Sequence, residues 1–195
     1  MIIILKSANF GANNIGQVEI NTNPNPTSVV LRDEFAGASL GGGSYGAGGL
    51  MFGLNTNFAP GTYISHIDLI ACSGSKYSNP TEAITTGEIA IYQVDTSGIL
   101  KSELARVSSA TSFVSDTDET SGTYIYRILI DKTVSENSNL AVKVVPANTS
   151  TAPTVAYAKG MSPNLGAGYM GAVKAIGESI ASTQSSYFLP CVIYG

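Results

Sequence analysis

The chain has 195 residues, a formal net charge of −4, one histidine and two cysteines. Only 12% of its residues are charged, about half the roughly 25% of ordinary soluble domains, and 21 glycines with 40 serines and threonines fill the difference. Such a length supports one sizeable core; the ten basic residues are scattered rather than clustered, and no apolar run reaches spanning length, so neither nucleic acid nor membrane is expected as a partner.

Residues 1–26 read as an arm. Ile2–Leu5 is a short apolar β-prone run that Lys6 interrupts, too short for a signal-peptide core, which predicts synthesis in the cytoplasm. Residues 9–16 are dense in turn formers, 17–20 alternate briefly, and Asn21-Thr-Asn-Pro-Asn-Pro26 reads as a linker because each proline removes a donor and restricts its predecessor. An arm of this size cannot bury Ile2, Ile3, Ile4 and Phe10 by itself, so these four are the candidate assembly residues.

Residues 27–195 form the expected body. Thr27–Leu31 is a β-branched run, 33–38 suit a helical turn, and residues 41–49 form a glycine-rich loop around Tyr45. Leu50–Asn57 leads through Ala59-Pro60-Gly61 into the clearest strand, Thr62–Ser73. Read with period two, Tyr63, Ile67, Leu69 and Ala71 share one face, and His66, Asp68 and Cys72 the other. A polar excursion with Tyr77 follows. Gly87–Val94 and Ile99–Val107 flank Asp95-Thr-Ser-Gly98 as a hairpin, although the second arm also has helical propensity.

Short runs at 111–115, 123–130 and 140–145 continue the strand spacing, and Tyr124, Tyr126, Ile128 and Ile130 alternate with Arg127 and Asp131. After a run at 154–158 comes a second glycine-rich loop, 160–171, carrying Tyr169. Residues 172–182 suit a strand or a short helix, and Tyr187–Tyr194 closes the chain as a strand that Pro190 pushes toward an edge or a bulge. Eight to ten short strands with turns every eight to fourteen residues predict an all-β antiparallel sandwich of jelly-roll type with an extended N-terminal arm.

Few residues carry chemistry. His66 and Asp68 would be neighbours on one strand face, but no serine sits in a nucleophile turn, and a polar pair is the plainer reading. One histidine and two distant cysteines give no zinc spacing, and Asp116, Asp118 and Glu119 lack the ligand pattern of a calcium loop, so no metal or cofactor is expected. Fourteen acids leave a carboxylate pair open in principle. Loop aromatics in Gly/Ser-rich surroundings suit sugar stacking, which makes Tyr45, Tyr77 and Tyr169 the candidate glycan-binding residues, with anchoring of their loops to the core or a place in a subunit interface as the plainer reading. Cys72 and Cys191 lie in apolar runs and read as buried thiols, with a bridge possible only if their strands are neighbours.

The segment Ile2-Ile-Ile-Leu-Lys-Ser-Ala-Asn-Phe-Gly-Ala-Asn-Asn-Ile-Gly-Gln-Val18 resembles the opening of bacteriophage tail-fibre, head-fibre and decoration proteins. Gly61-Thr-Tyr-Ile-Ser-His-Ile-Asp-Leu and Gly87-Glu-Ile-Ala-Ile-Tyr-Gln-Val-Asp-Thr-Ser-Gly98 resemble the sandwich modules of such appendages. The resemblance implies a non-enzymatic virion structural protein. It would be attached to other virion proteins through its arm, form a homo-oligomer (a trimer by preference), and expose its body for host-surface contact. The alternatives are a module binding a bacterial surface glycan and, third, a small glycan hydrolase.

Overall fold

The β-branched and alternating runs named above become strands in the computed structural model. It describes residues 2–5, 18–21, 28–30, 49–71, 83–114, 124–147, 155, 158–159, 169–180, 187–189 and 191–195. The strands are β1 (Ile2–Leu5), β2 (Val18–Asn21), β3 (Ser28–Val30), β4 (Leu50–Phe58), β5 (Tyr63–Ile70), β6 (Glu88–Asp95) and β7 (Leu100–Ser108). They continue with β8 (Phe113–Val114), β9 (Tyr124–Thr133), β10 (Ser138–Val145), β11 (Ala158–Lys159), β12 (Tyr169–Ala172), β13 (Tyr187–Phe188) and β14 (Cys191–Tyr194). Among the described residues there is no helix.

Two five-stranded antiparallel sheets carry the body, in the orders β12-β4-β10-β6-β7 and β3-β14-β5-β9-β8. The pairings are nested. β3 pairs with β14, β4 with β10, β5 with β9, and β6 with β7. These four pairs thus make one long hairpin whose tip is the β6–β7 turn, wound so that successive nested pairs alternate between sheets. That winding is the jelly roll expected from the sequence, with β8 and β12 added at outer edges.

The tip is well made. The Asp95 carboxylate accepts from the Ser97 and Ile99 amides, both at 2.9 Å, and Gly98 adopts φ +81°. β7 follows as a strand, because its pairing with β6 overrides the helical propensity of its residues.

The core lies between the sheets. Leu50, Phe52, Leu54, Ile89, Ile91, Leu140, Val142 and Val144 from one sheet meet Ile64, Ile67, Leu69, Tyr126, Ile128, Ile130, Cys191 and Ile193 from the other. A second apolar cluster sits on the outer face of the first sheet: Met51, Ala90, Tyr92, Val94, Leu100 and Ala141 under Ile180 and Val173. After β12 the chain crosses that face to the opposite edge. There Leu100 donates to Glu178 O and accepts from Gly177 N, and Ile180 N donates to Gly98 O. Residues 173–180 are therefore a strap, neither the strand nor the helix that their sequence suggested.

Two expectations need correction. Tyr63 does not share the inward face of β5: it is exposed, and Ile64 is buried in its place. The β5–β9 register shifts between Ile64 and His66, where two residues, Ile130 and Asp131, stand against the single Ser65, and Asp131 adopts φ +48°. β14 lies between β3 and β5 rather than at an edge, and Pro190 itself lies outside the described residues. Cys191 is a buried free thiol, so it forms no bridge. Burial pushes its pKa up to about 12.

At Gly49, just before β4, φ is +80° and an added Cβ would lie 2.2 Å from the Val144 carbonyl oxygen. Only glycine allows β10 to approach that closely.

Candidate functional site

Beyond its register shift, β5 presents His66 and Asp68 on the outer face of its sheet. The cross-strand pairs are Tyr194↔His66↔Leu129 in one row and Val192↔Asp68↔Arg127 in the next. This arrangement gathers Tyr194, His66, Arg127 and Asp68, with Phe113 on the neighbouring β8.

The Arg127–Asp68 pair anchors the group. Nε and Nη2 of Arg127 donate to the two carboxylate oxygens at 2.8 and 2.7 Å. Asp68 is only 5% exposed, so this two-toothed contact stands in for the water its carboxylate has lost. The hydrogen bond to Asp68 raises the Arg127 pKa further above its already high ordinary value. The guanidinium also lies over the rings of Phe113, at 5.4 Å, and Tyr194, at 5.9 Å.

His66 stacks on Tyr194, with ring centroids 4.2 Å apart and planes 13° from parallel. Its Nδ1 shares a 2.9 Å hydrogen bond with Ser65 Oγ, while its buried Nε2 has no partner. Burial lowers the His66 pKa. The Asp68 charge opposes that shift and the Arg127 charge adds to it. The imidazole is therefore neutral at pH 7.

This geometry separates the residues a triad would need together. Asp68 spends both oxygens on Arg127 rather than on the imidazole, and Ser65 sits beside His66 on the same strand. The row is a packed aromatic and ionic face.

A second ionic group lies on the outer face of the other sheet. Glu88 pairs with Lys143 at 2.7 Å and with Arg106, and Arg106 also pairs with Glu103 and donates to the Tyr92 hydroxyl at 3.1 Å. Burial alone would raise the Glu88 carboxyl, but Lys143 and Arg106 outweigh it and hold it below the usual range. The hydrogen bond from Arg106 holds Glu103 low as well. Both carboxylates are thus ionised at neutral pH. A glycosidase instead keeps one of its two acids protonated. Among the described residues no group of three or more His, Cys, Asp or Glu could hold a metal ion.

The residues named from sequence fare unevenly. Ile2, Ile3 and Ile4 lie in β1, which pairs with β2 in a sheet of its own. Phe10, Tyr45, Tyr77, Cys72 and the acidic cluster at 116–119 lie outside the described residues. Tyr169 begins β12, where its backbone pairs with Gly53. Sequence reasoning missed Arg127, Tyr194 and Phe113. Arg127 stands 59 positions from Asp68, and only the strand register joins them. Its one local signal was a lone charge inside Tyr-Ile-Tyr-Arg-Ile-Leu-Ile.

Apolar side chains also stand exposed beside this face: Leu129 at 69%, Val114 at 47%, and Phe113 and Tyr63 at 42% each. Against known proteins, no family model matches the chain, and no curated protein matches it significantly.

Proposed function

We propose that the chain is a non-enzymatic structural protein of a bacteriophage particle, joined to other virion proteins through its N-terminal arm and presenting the jelly roll outward as a homo-oligomer. One observation carries the reading. The hairpin β1–β2 forms a two-stranded sheet of its own, apart from the two five-stranded sheets of the body. A lone two-stranded hairpin is marginal in water and gains stability only against further surface. Ile2-Ile-Ile-Leu5 is apolar at every position, as in strands covered on both faces. An attachment arm supplies that cover from another virion protein, in line with the resemblance of residues 2–18.

The test uses purified particles. Peptide mass mapping is expected to find the chain as a component in fixed stoichiometry, and particles assembled with a chain lacking residues 1–20 are expected to lose it. Absence of the chain from the particles, or unchanged incorporation of the truncated chain, overturns the reading.

A further inference from the structure

β9 has ten residues, Tyr124–Thr133, and β8 covers its outer side only at Tyr124 and Ile125. Among the described residues no strand pairs with that side from Arg127 onward. The direction of the backbone groups there follows from the ladder with β5. Ala71 N donates to Tyr124 O at 2.8 Å, next to the Ile70↔Ile125 pair. Hydrogen-bonded pairs alternate in an antiparallel ladder, so residues 124, 126 and 128 turn their N–H and C=O groups toward β5. Ile125, Arg127 and Leu129 turn theirs away. Ile125 meets Phe113 in that direction, while Arg127 and Leu129 face outward.

This edge differs from β7 in one side chain, a large apolar residue standing exposed between its charges. One edge strand of the other sheet, β7, carries Lys101, Glu103 and Arg106, which discourage pairing with a further strand. β9 instead carries Leu129, 69% exposed, at the middle of its open stretch. Arg127 lies two residues before it and Asp131 two residues after. The contacts within the chain use Nε and Nη2 of Arg127 and Oδ1 of Asp131. Among the described residues, no hydrogen bond engages Arg127 Nη1 or Asp131 Oδ2.

We propose that the open edge of β9 pairs antiparallel with the same edge of a second copy of this chain, about a two-fold axis at Leu129. In that register Leu129 meets Leu129 of the second copy, and the two copies exchange backbone hydrogen bonds there. Each Arg127 faces Asp131 of the other copy. The charge order Arg–Leu–Asp is complementary to itself only when reversed about Leu129, which selects this register over its neighbours. β8 at one end and the Asp131 bulge at the other confine the contact to residues 127–131. It is therefore short, and the dimer is concentration-dependent. This inference concerns the body alone and does not rest on the virion reading. It predicts a pair in solution, where the resemblance implied a trimer.

Leu129 is exposed, so substitutions there leave the fold intact. Sedimentation velocity over low to high micromolar concentrations is expected to show the purified full chain passing from one copy to two. The Leu129→Glu and Leu129→Lys variants are each expected to remain single copies, because like charges meet at the axis. Mixing them in equal amounts is expected to restore the dimer, because unlike charges then meet. Leu129→Cys is expected to give a covalent dimer under mild oxidation, under conditions where the unsubstituted chain gives none. Four results overturn the proposal: single copies at every concentration, trimers, charge variants that dimerise as the parent does, or a mixture that stays apart.

Discussion

Asp68 is a carboxylate on the outer side of a sheet and yet buried, which makes Arg127 its necessary companion. Removing the guanidinium leaves a desolvated charge without donors. Arg127→Met is therefore expected to cost about 2–3 kcal/mol in urea denaturation, and the double variant Asp68→Asn/Arg127→Met to recover part of the loss. His66 gives a pH signature of opposite origin. Burial holds its pKa below the ordinary 6.5 while it faces Ser65, Asp68, Arg127 and Tyr194. The folded protein then binds fewer protons than the unfolded chain just below pH 6.5, so stability falls as pH drops through that range toward the lower folded value. A His66→Gln variant is expected to lose this component of the pH–stability curve, and the slope of that curve below pH 6.5 checks it. Cys191 is buried with a thiol raised to about 12, so iodoacetamide at neutral pH should leave it unmodified until the fold opens, as peptide mass mapping would show.

The strap at 173–180 shows how one element can serve two others. Ile180 closes the outer apolar cluster over Met51, Val94 and Leu100, while neighbouring backbone groups bond to Gly98 and Leu100. Ile180→Ala is expected to cost about 2–4 kcal/mol and to lower hydrogen-exchange protection of the Leu100, Gly177 and Ile180 amides together. Its sequence, Val-Lys-Ala-Ile-Gly-Glu-Ser-Ile, has no clean period, so no local rule could assign it. β5 teaches the related lesson. Its alternation reads plainly from Ile67 to Ala71, and it misplaces Tyr63 because the partner strand contributes one residue more across the shift at Ser65. A bulge is a property of two strands, and only one of them is visible at a time in a sequence.

For the whole molecule, the nested pairing of β3–β6 with β7, β9, β10 and β14 separates the body from the hairpin β1–β2. A chain lacking residues 1–20 is accordingly expected to keep the thermal unfolding midpoint of the full chain, since neither body sheet loses a strand. A drop of several degrees would show that the body depends on the arm. The sequence by itself determined the all-β class, most strand positions and the turn at Asp95–Ile99, because strand periodicity and turn chemistry are local. Only the tertiary structure decided which strands are neighbours. With that it decided the strand order within each sheet, the Asp68–Arg127 pair, the stacking of His66 on Tyr194, and the open edge around Leu129. Those features depend on contacts between residues far apart along the chain, and alternation within a strand carries no record of its partner.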